Sequence, residues 1–312
     1  MNKSKTIFML VLIAFVLILI ALVFSEYREP EEQKSVSFGN TKQINHQKPE
    51  SDALPLRIAL GSMTTPKSGY AYYQKLSEYI GKKMNRPVKI IDKRTYGEVN
   101  ELLKRNEVDM AFVCGRPYVD GHDQFHLELL VAPQINGKIT YHSYIIVHKN
   151  SKLQSFKDLR GKVFAFSDPL SNSGKLAPTY MLMQMGETPD TYFKDYYYTH
   201  AHDNSIKAVA QKLADGAAVD SLIWDYEMKF HPQYAQDTKI IDRSEPYGIP
   251  PVVVPRDLSE ETKQKLRQIL LTIHKSKEGK AILEGMGIDK FVLVTDRNYD
   301  SIRKMREYVG SK

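Results

Sequence analysis

From Pro55 onward, short runs of branched apolar residues alternate with longer segments whose apolar residues recur every three or four positions. That alternation restricts the chain more than any other feature, because strands separated by helices build a layered α/β fold with helices on both faces of a largely parallel sheet. The pattern predicts strands at 56–60, 88–91 and 110–114, with helices at 69–84 and 96–105. Tyr73, Leu76 and Ile80 fall on one face of the first helix, and Val99, Leu102 and Leu103 on one face of the second. A second alternating unit comes next. It has strands at 163–166, 196–199, 219–223 and 238–241, and helices starting near Ser173 and spanning 204–213. The chain then reads as helical over 259–274, 277–284 and 296–308.

Two strongly β-prone runs, 141–148 and 243–254, bound the second unit. If the chain crosses between units at both, its last segment returns to the first, which makes two lobes, a cleft and a two-strand hinge. Two independent domains in series would give the same periodicity. Ligands of open α/β sheets sit beyond the carboxyl ends of the strands, so the segments 61–68 and 115–121 read as functional loops.

The polar connection Ser167 to Gly174 joins a buried strand to a helix whose first turn accommodates Pro178. Ser171, Asn172 and Ser173 are capping residue types. They also flank free N–H groups at the positive end of a helix, the usual socket for a small anion. Capping alone and capping with anion binding both fit these residues.

The N-terminus constrains destination. Lys3 and Lys5 precede an uncharged apolar run over 7–24, long enough to nearly span a bilayer core and oriented to export the body of the chain. A cleaved signal peptide is the competitor, although no good small-residue cleavage site stands near 21–26. Residues 1–25 are therefore expected to be a membrane anchor or signal, and 26–54, polar and without periodicity, a flexible tether. With one cysteine, Cys114, there is neither a disulfide framework nor a CxxC metal pattern. The net charge of +7 is spread without a Lys/Arg run, which argues against nucleic-acid binding. No GxSxG, HExxH or Walker loop is present, so no catalytic residue, cofactor or metal is expected.

Four segments together resemble one family. The run 144–174 (YIIVHKNSKLQSFKDLRGKVFAFSDPLSNSG), the segment 199–209 (THAHDNSIKAV), the turn 216–220 (GAAVD) and the return 246–258 (PYGIPPVVVPRDL) are similar to the phosphate/phosphite/phosphonate-type substrate-binding proteins of ABC transporters. The resemblance covers about residues 56–283. It implies a type II periplasmic-binding-protein clamshell, with 55–142 and 247–312 as one lobe and 143–246 as the other. A phosphorus oxyanion would be held between the lobes, without catalysis, by a monomeric body that serves a membrane permease.

Carried over residue by residue, the resemblance makes Ser171, Asn172 and Ser173 oxyanion holders, His202 a ligand-side histidine, Tyr96 the strand-to-helix tyrosine and Tyr118 the cleft tyrosine. Tyr70 at the first helix start and Arg116 beyond a strand end are further candidates. Asp225 could meet an amino group on the ligand. Asp220 reads as structural, and Trp224 as either a cleft wall or a packed core residue. Asn172 stands where the family often has a hydroxyl residue. A membrane-tethered ligand sensor is the alternative function, and an enzyme on the same fold the third.

Overall fold

Leu56, Ile58 and Leu60 alternate with Arg57 and Ala59, and the period of two sends the large side chains to one face of a strand, β1 (Leu56–Leu60). The computed structural model describes residues 54–61 and 70–311. The sequence-based expectations for an anchor or signal at 1–25, for nearly all of the tether, and for the loop 62–68 fall outside these residues. Among the described residues no helix is long and apolar enough to cross a membrane.

After β1 come α1 (Tyr70–Met84), β2 (Val88–Asp92), α2 (Tyr96–Lys104), β3 (Met110–Phe112), α3 (Gly115–Phe125) and β4 (Glu128–Gln134). The short β5 (Thr140–Tyr141) then leads to β6 (Ser143–His148) and β7 (Val163–Phe166). A π-helical turn (Asn172–Leu176) runs into α4 (Ala177–Gln184), followed by α5 (Pro189–Tyr192), β8 (Asp195–Tyr198), α6 (His202–Ala210) and β9 (Gly216–Asp220). Next are α7 (Ser221–Phe230), α8 (Pro232–Ala235), β10 (Thr238–Arg243), β11 (Tyr247–Gly248) and β12 (Val252–Val254). The chain ends with α9 (Glu260–Thr272), α10 (Lys277–Met286), β13 (Lys290–Val292), a 3-10 turn (Asp296–Tyr299) and α11 (Asp300–Gly310).

These strands form a six-stranded sheet in the order β13-β4-β12-β3-β1-β2 and a five-stranded sheet in the order β10-β6-β9-β7-β8. The chain passes from the first sheet to the second after β5 and returns before β11. Those two strands pair antiparallel, Tyr141 opposite Tyr247. Both sheets are mixed rather than parallel: β12 runs antiparallel to β3 and β4, and β6 antiparallel to β9 and β10. β12 enters the first sheet as the chain returns to it, against the direction of β3, and β6 enters the second as the chain first crosses, against the direction of β9.

Each sheet is covered on both faces. On one face of the first, Leu56, Ile58 and Leu60 meet Leu76 and Ile80 of α1 and Leu266 and Leu270 of α9, all buried. Each such side chain contributes roughly 1.5–3 kcal/mol. On the other face, Ala59 and Ala111 meet Val99, Leu103, Val119 and Ile302. The second core is aromatic, with Phe164 stacked on Phe193 at 4.4 Å.

Several local expectations are corrected. Residues 115–121 are helix, not loop, because Pro117 sits in the first turn, where a missing N–H costs nothing. The strand expected over 219–223 ends at Asp220, whose carboxylate accepts the Leu222 N–H at 2.8 Å and starts α7 instead. The helix expected near Ser173 begins as a π turn, with Leu176 N–H bonded to Ser171 O at 2.9 Å. The segment 296–308 splits into a 3-10 turn and α11.

Candidate functional site

The serine-rich turn lies where the two sheets face each other. Ser171, Asn172 and Ser173 are buried, each 0 % exposed. Ser171 caps the turn, its Oγ accepting from Gly174 N at 2.9 Å. The same oxygen faces His202 Nε2 at 3.4 Å. His202 Nδ1 accepts the Asp220 N–H at 3.1 Å, so the neutral ring carries its proton on Nε2 and donates it to Ser171. With both lone pairs engaged, the Ser171 O–H remains as a donor. Burial holds the His202 pKa down to about 3, so the ring stays neutral at physiological pH. Both ring nitrogens thus serve the protein: His202 positions Ser171, and does not itself offer a free group to a ligand.

Gly174 is required by close packing, since a Cβ there would collide with Ser167 Oγ and come within 3.0 Å of His202 Cε1. The turn is tied to β5 at the crossing between the sheets and to β6 of its own sheet. Asn172 Nδ2 donates to Tyr141 Oη at 3.0 Å, and Tyr141 Oη lies 3.8 Å from Cys114 Sγ. Ser143 Oγ donates to Ser173 O at 2.6 Å. Asp168, buried, accepts the N–H groups of Tyr96 at 3.2 Å and Leu170 at 2.7 Å, and so covers the N-terminus of α2 from across the interface. Arg116 donates to Pro169 O at 3.1 Å and pairs with Asp120 at 3.5 Å, so it braces the same junction.

Against this bonded background, Ser173 Oγ, Asn172 Oδ1, Ser167 Oγ and Tyr96 Oη, like Arg116 Nε beside them, are buried without a hydrogen-bond partner among the described residues. Leaving such a group unpaired costs about 1–3 kcal/mol, so a cluster of them marks a place that something else completes. Burial raises the Tyr96 pKa well above its ordinary value, assisted by Cys114, Asp168 and Asp220, so the phenol stays protonated as a donor.

Beside the turn opens a cavity of about 320 Å³. Tyr141, which bonds Asn172, and Asp220, whose N–H bonds His202, line it together with Tyr73, Tyr144 and Tyr226. Asp220, read from sequence as structural, caps α7 through Leu222 N–H and also lines the cavity. Its carboxyl is fully buried, and burial pushes its pKa up to about 7. Asp225, on α7, also lines the cavity, and burial raises its carboxyl pKa against the opposing pull of Arg243 and His142. Trp224 donates to Thr238 Oγ1 at 2.9 Å and packs edge-on to Tyr144, which makes it a core residue.

Tyr118 stands elsewhere. Its hydroxyl donates to Asp296 Oδ1 at 2.8 Å and its ring packs on Tyr299 at 4.7 Å, so it braces α3 against the C-terminal segment. Tyr70 opens α1, and its side chain lies outside the described residues.

Residues 58–299 match the family model of the ABC transporter phosphonate periplasmic substrate-binding proteins. The Phosphonates-binding periplasmic protein of Escherichia coli is 27% identical over 215 residues, 67% of this chain and 63% of that protein's length. Among solved structures, a binding protein component of an ABC phosphonate transporter from Pseudomonas aeruginosa superposes with TM-score 0.78 at 23% identity, covering 83% of this chain and 87% of that one. PhnD1 from Prochlorococcus marinus, in complex with methylphosphonate, superposes with TM-score 0.75 at 21% identity, covering 85% of this chain and 100% of that one. The mixed α/β fold is that of periplasmic binding proteins, and the match over 58–299 establishes that the chain belongs to the family of phosphonate periplasmic substrate-binding proteins of ABC transporters.

Proposed function

We propose that this protein captures a phosphorus oxyanion, a phosphonate, phosphite or phosphate, outside the cytoplasmic membrane and presents it to an ABC permease. The observation that carries this reading is the set of buried, unpartnered donors around the serine-rich turn, Ser173 Oγ and Tyr96 Oη above all. Both are hydroxyls, the Ser171 O–H adds a third, and the start of a helix adds the favourable end of a dipole. Donors from 96 and 171–173 belong to different sheets, so a ligand gripped by both holds the two together.

In this reading the body is a type II clamshell. Residues 55–142 and 247–312 form one lobe and 143–246 the other, hinged where β5 and β11 pair. Ser171, Asn172, Ser173 and Tyr96 hold the oxyanion, and His202 acts through Ser171. Arg116 and Asp168 latch the closed form. Asp220 accepts a hydrogen bond from a protonated ligand oxygen or donates one to an ionised oxygen. The apolar run at 7–24 anchors the exported body to the cytoplasmic membrane. The likeness to the Phosphonates-binding periplasmic protein of Escherichia coli supports the choice of ligand.

Calorimetric titration of the purified full chain with phosphate, phosphite, methylphosphonate and 2-aminoethylphosphonate tests the reading. Saturable binding of at least one is expected. A folded protein that binds none of them contradicts it.

A further inference from the structure

Asn172 stands where the family often has a hydroxyl residue, and its side chain is half committed. Nδ2 donates to Tyr141 Oη at 3.0 Å, which leaves the tyrosine hydrogen for Cys114 Sγ at 3.8 Å. The other end of the amide, Oδ1, is buried without a hydrogen-bond partner among the described residues. Ser173 Oγ, Ser167 Oγ, Tyr96 Oη and Arg116 Nε share that condition, and each of them carries a hydrogen to give. Of these atoms Oδ1 alone can only accept. An ionised phosphoryl oxygen offers it nothing, and two acceptors held together away from water leave both unsatisfied. A P–O–H group satisfies it.

The charges around the turn lead to the same form of ligand. Ser171, Asn172 and Ser173 are 0 % exposed, so a second negative charge buried there needs a counter-charge. Arg116 is committed to Pro169 O at 3.1 Å and to Asp120 at 3.5 Å. Lys175 Nζ lies 3.9 Å from the centre of the Phe166 ring, with Tyr196 and Tyr198 beside it. His202 is neutral, and His200 faces Asp168. The carboxyl groups of Asp168 and Asp220 are themselves buried nearby, on the N–H groups of Tyr96 and Leu222. What remains to oppose the ligand is the partial positive charge of a helix start, which balances one negative charge better than two.

We infer that Asn172 makes this site selective for the singly protonated, singly charged form of its phosphorus oxyanion, with Oδ1 accepting the ligand's P–O–H while Ser173, Tyr96 and the Ser171 O–H donate to the remaining oxygens. This rests on the phosphorus-oxyanion reading of the turn and names the protonation state within it.

Calorimetric titration of the full chain with phosphite and methylphosphonate, from about pH 5.5 to about pH 9, and with methanesulfonate at about pH 6, tests the assignment. Phosphite loses its second proton at lower pH than methylphosphonate does. Methanesulfonate matches methylphosphonate in shape and carries one charge but no proton. Affinity for each phosphorus ligand is expected to fall about tenfold per pH unit above that ligand's own second ionisation, so the fall begins earlier for phosphite. Methanesulfonate is expected to bind at least tenfold more weakly than methylphosphonate. Asn172→Ser puts a hydroxyl donor in the turn, and the fall should then be threefold per pH unit or less, with thermal melting showing that the variant is folded. A fall that begins at the same pH for both ligands belongs to a protein group such as Asp220 and overturns the assignment. So does affinity that holds across the second ionisation, or methanesulfonate binding within tenfold of methylphosphonate. An undiminished fall in folded Asn172→Ser overturns the role of Asn172. Binding of neither phosphite nor methylphosphonate at any pH overturns the oxyanion reading as well. Should Asn172→Ser fail to fold, the comparison of ligands in the unmodified protein decides alone.

Discussion

The serine-rich turn and the chamber beside it are neighbours built on opposite terms. In the turn nearly every polar group is tied down: Ser171 to Gly174 and His202, Asn172 to Tyr141, Ser173 O to Ser143. The few atoms left over, Ser173 Oγ and Tyr96 Oη among them, are conspicuous because their surroundings are satisfied. The chamber has space, and aromatic walls such as Tyr73 and Tyr144 stand in it beside charged groups such as Asp92, Lys138, Asp225 and Lys229. The contrast sets a bonded, solvent-excluded turn against an accessible cavity with mixed walls. The two regions are therefore separable by mutation.

The largest expected effect is on pH dependence at the boundary between the two regions. The Asp220 pKa rises on folding from 3.8 to about 7, so its ionisation costs stability as pH climbs through that window, by at most about 4 kcal/mol. His202 has the opposite sense: its pKa falls from 6.5 to about 3, so the stability it supports is lost as pH drops through that range. In the ligand-free protein the two slopes oppose each other between about pH 4 and 6.5. Asp220→Asn keeps the Leu222 cap and removes one slope. Denaturant unfolding across pH should then show stability that rises with pH to about 6.5 and stays high, where the unmodified protein declines near pH 7.

Gly174→Ala should come next in size. Its methyl has no room against Ser167 and His202, and overpacking of this kind costs roughly 1–3 kcal/mol, read as a lower melting temperature. Ser171→Ala removes a cap and should destabilise the ligand-free protein by about 1 kcal/mol in the same assay. Ser173→Ala should do the reverse of Ser171→Ala. It deletes a buried hydroxyl without a partner, so the ligand-free melting temperature holds or rises while affinity for the oxyanion falls by about 1–3 kcal/mol. A fall in melting temperature for Ser173→Ala would show the hydroxyl to be structural and erase the distinction between holder and cap.

Legibility in the sequence divides along the same line. Strands such as 56–60 and helices such as 70–84 announce themselves because period two and period 3.6 are local properties. The boundary at Asp220 does not, because Leu222 and Ile223 continue an apolar run that fits either element, and only the capping bond decides. β4 and β13 escape a local reading, since their partners come from distant parts of the chain. The serine-rich turn is legible because capping and anion binding use the same residue types at the same place. The burial of Asp220 is not: a carboxyl looks the same in sequence whether buried or solvated. Tyr118 is a cleft tyrosine only by its resemblance to the family's, and its partner Asp296 lies 178 residues away. The chamber is invisible for a related reason, as its walls come from segments on both sheets.

The central claim is that Tyr96 Oη, from one sheet, and the serine-rich turn, from the other, grip one oxyanion together. Calorimetric titration of methylphosphonate into Tyr96→Phe beside the unmodified protein tests it most directly. The account predicts at least a fivefold weaker Kd with a melting temperature unchanged or higher, because the lost hydroxyl has no protein partner. An unchanged Kd in a folded Tyr96→Phe protein would contradict it.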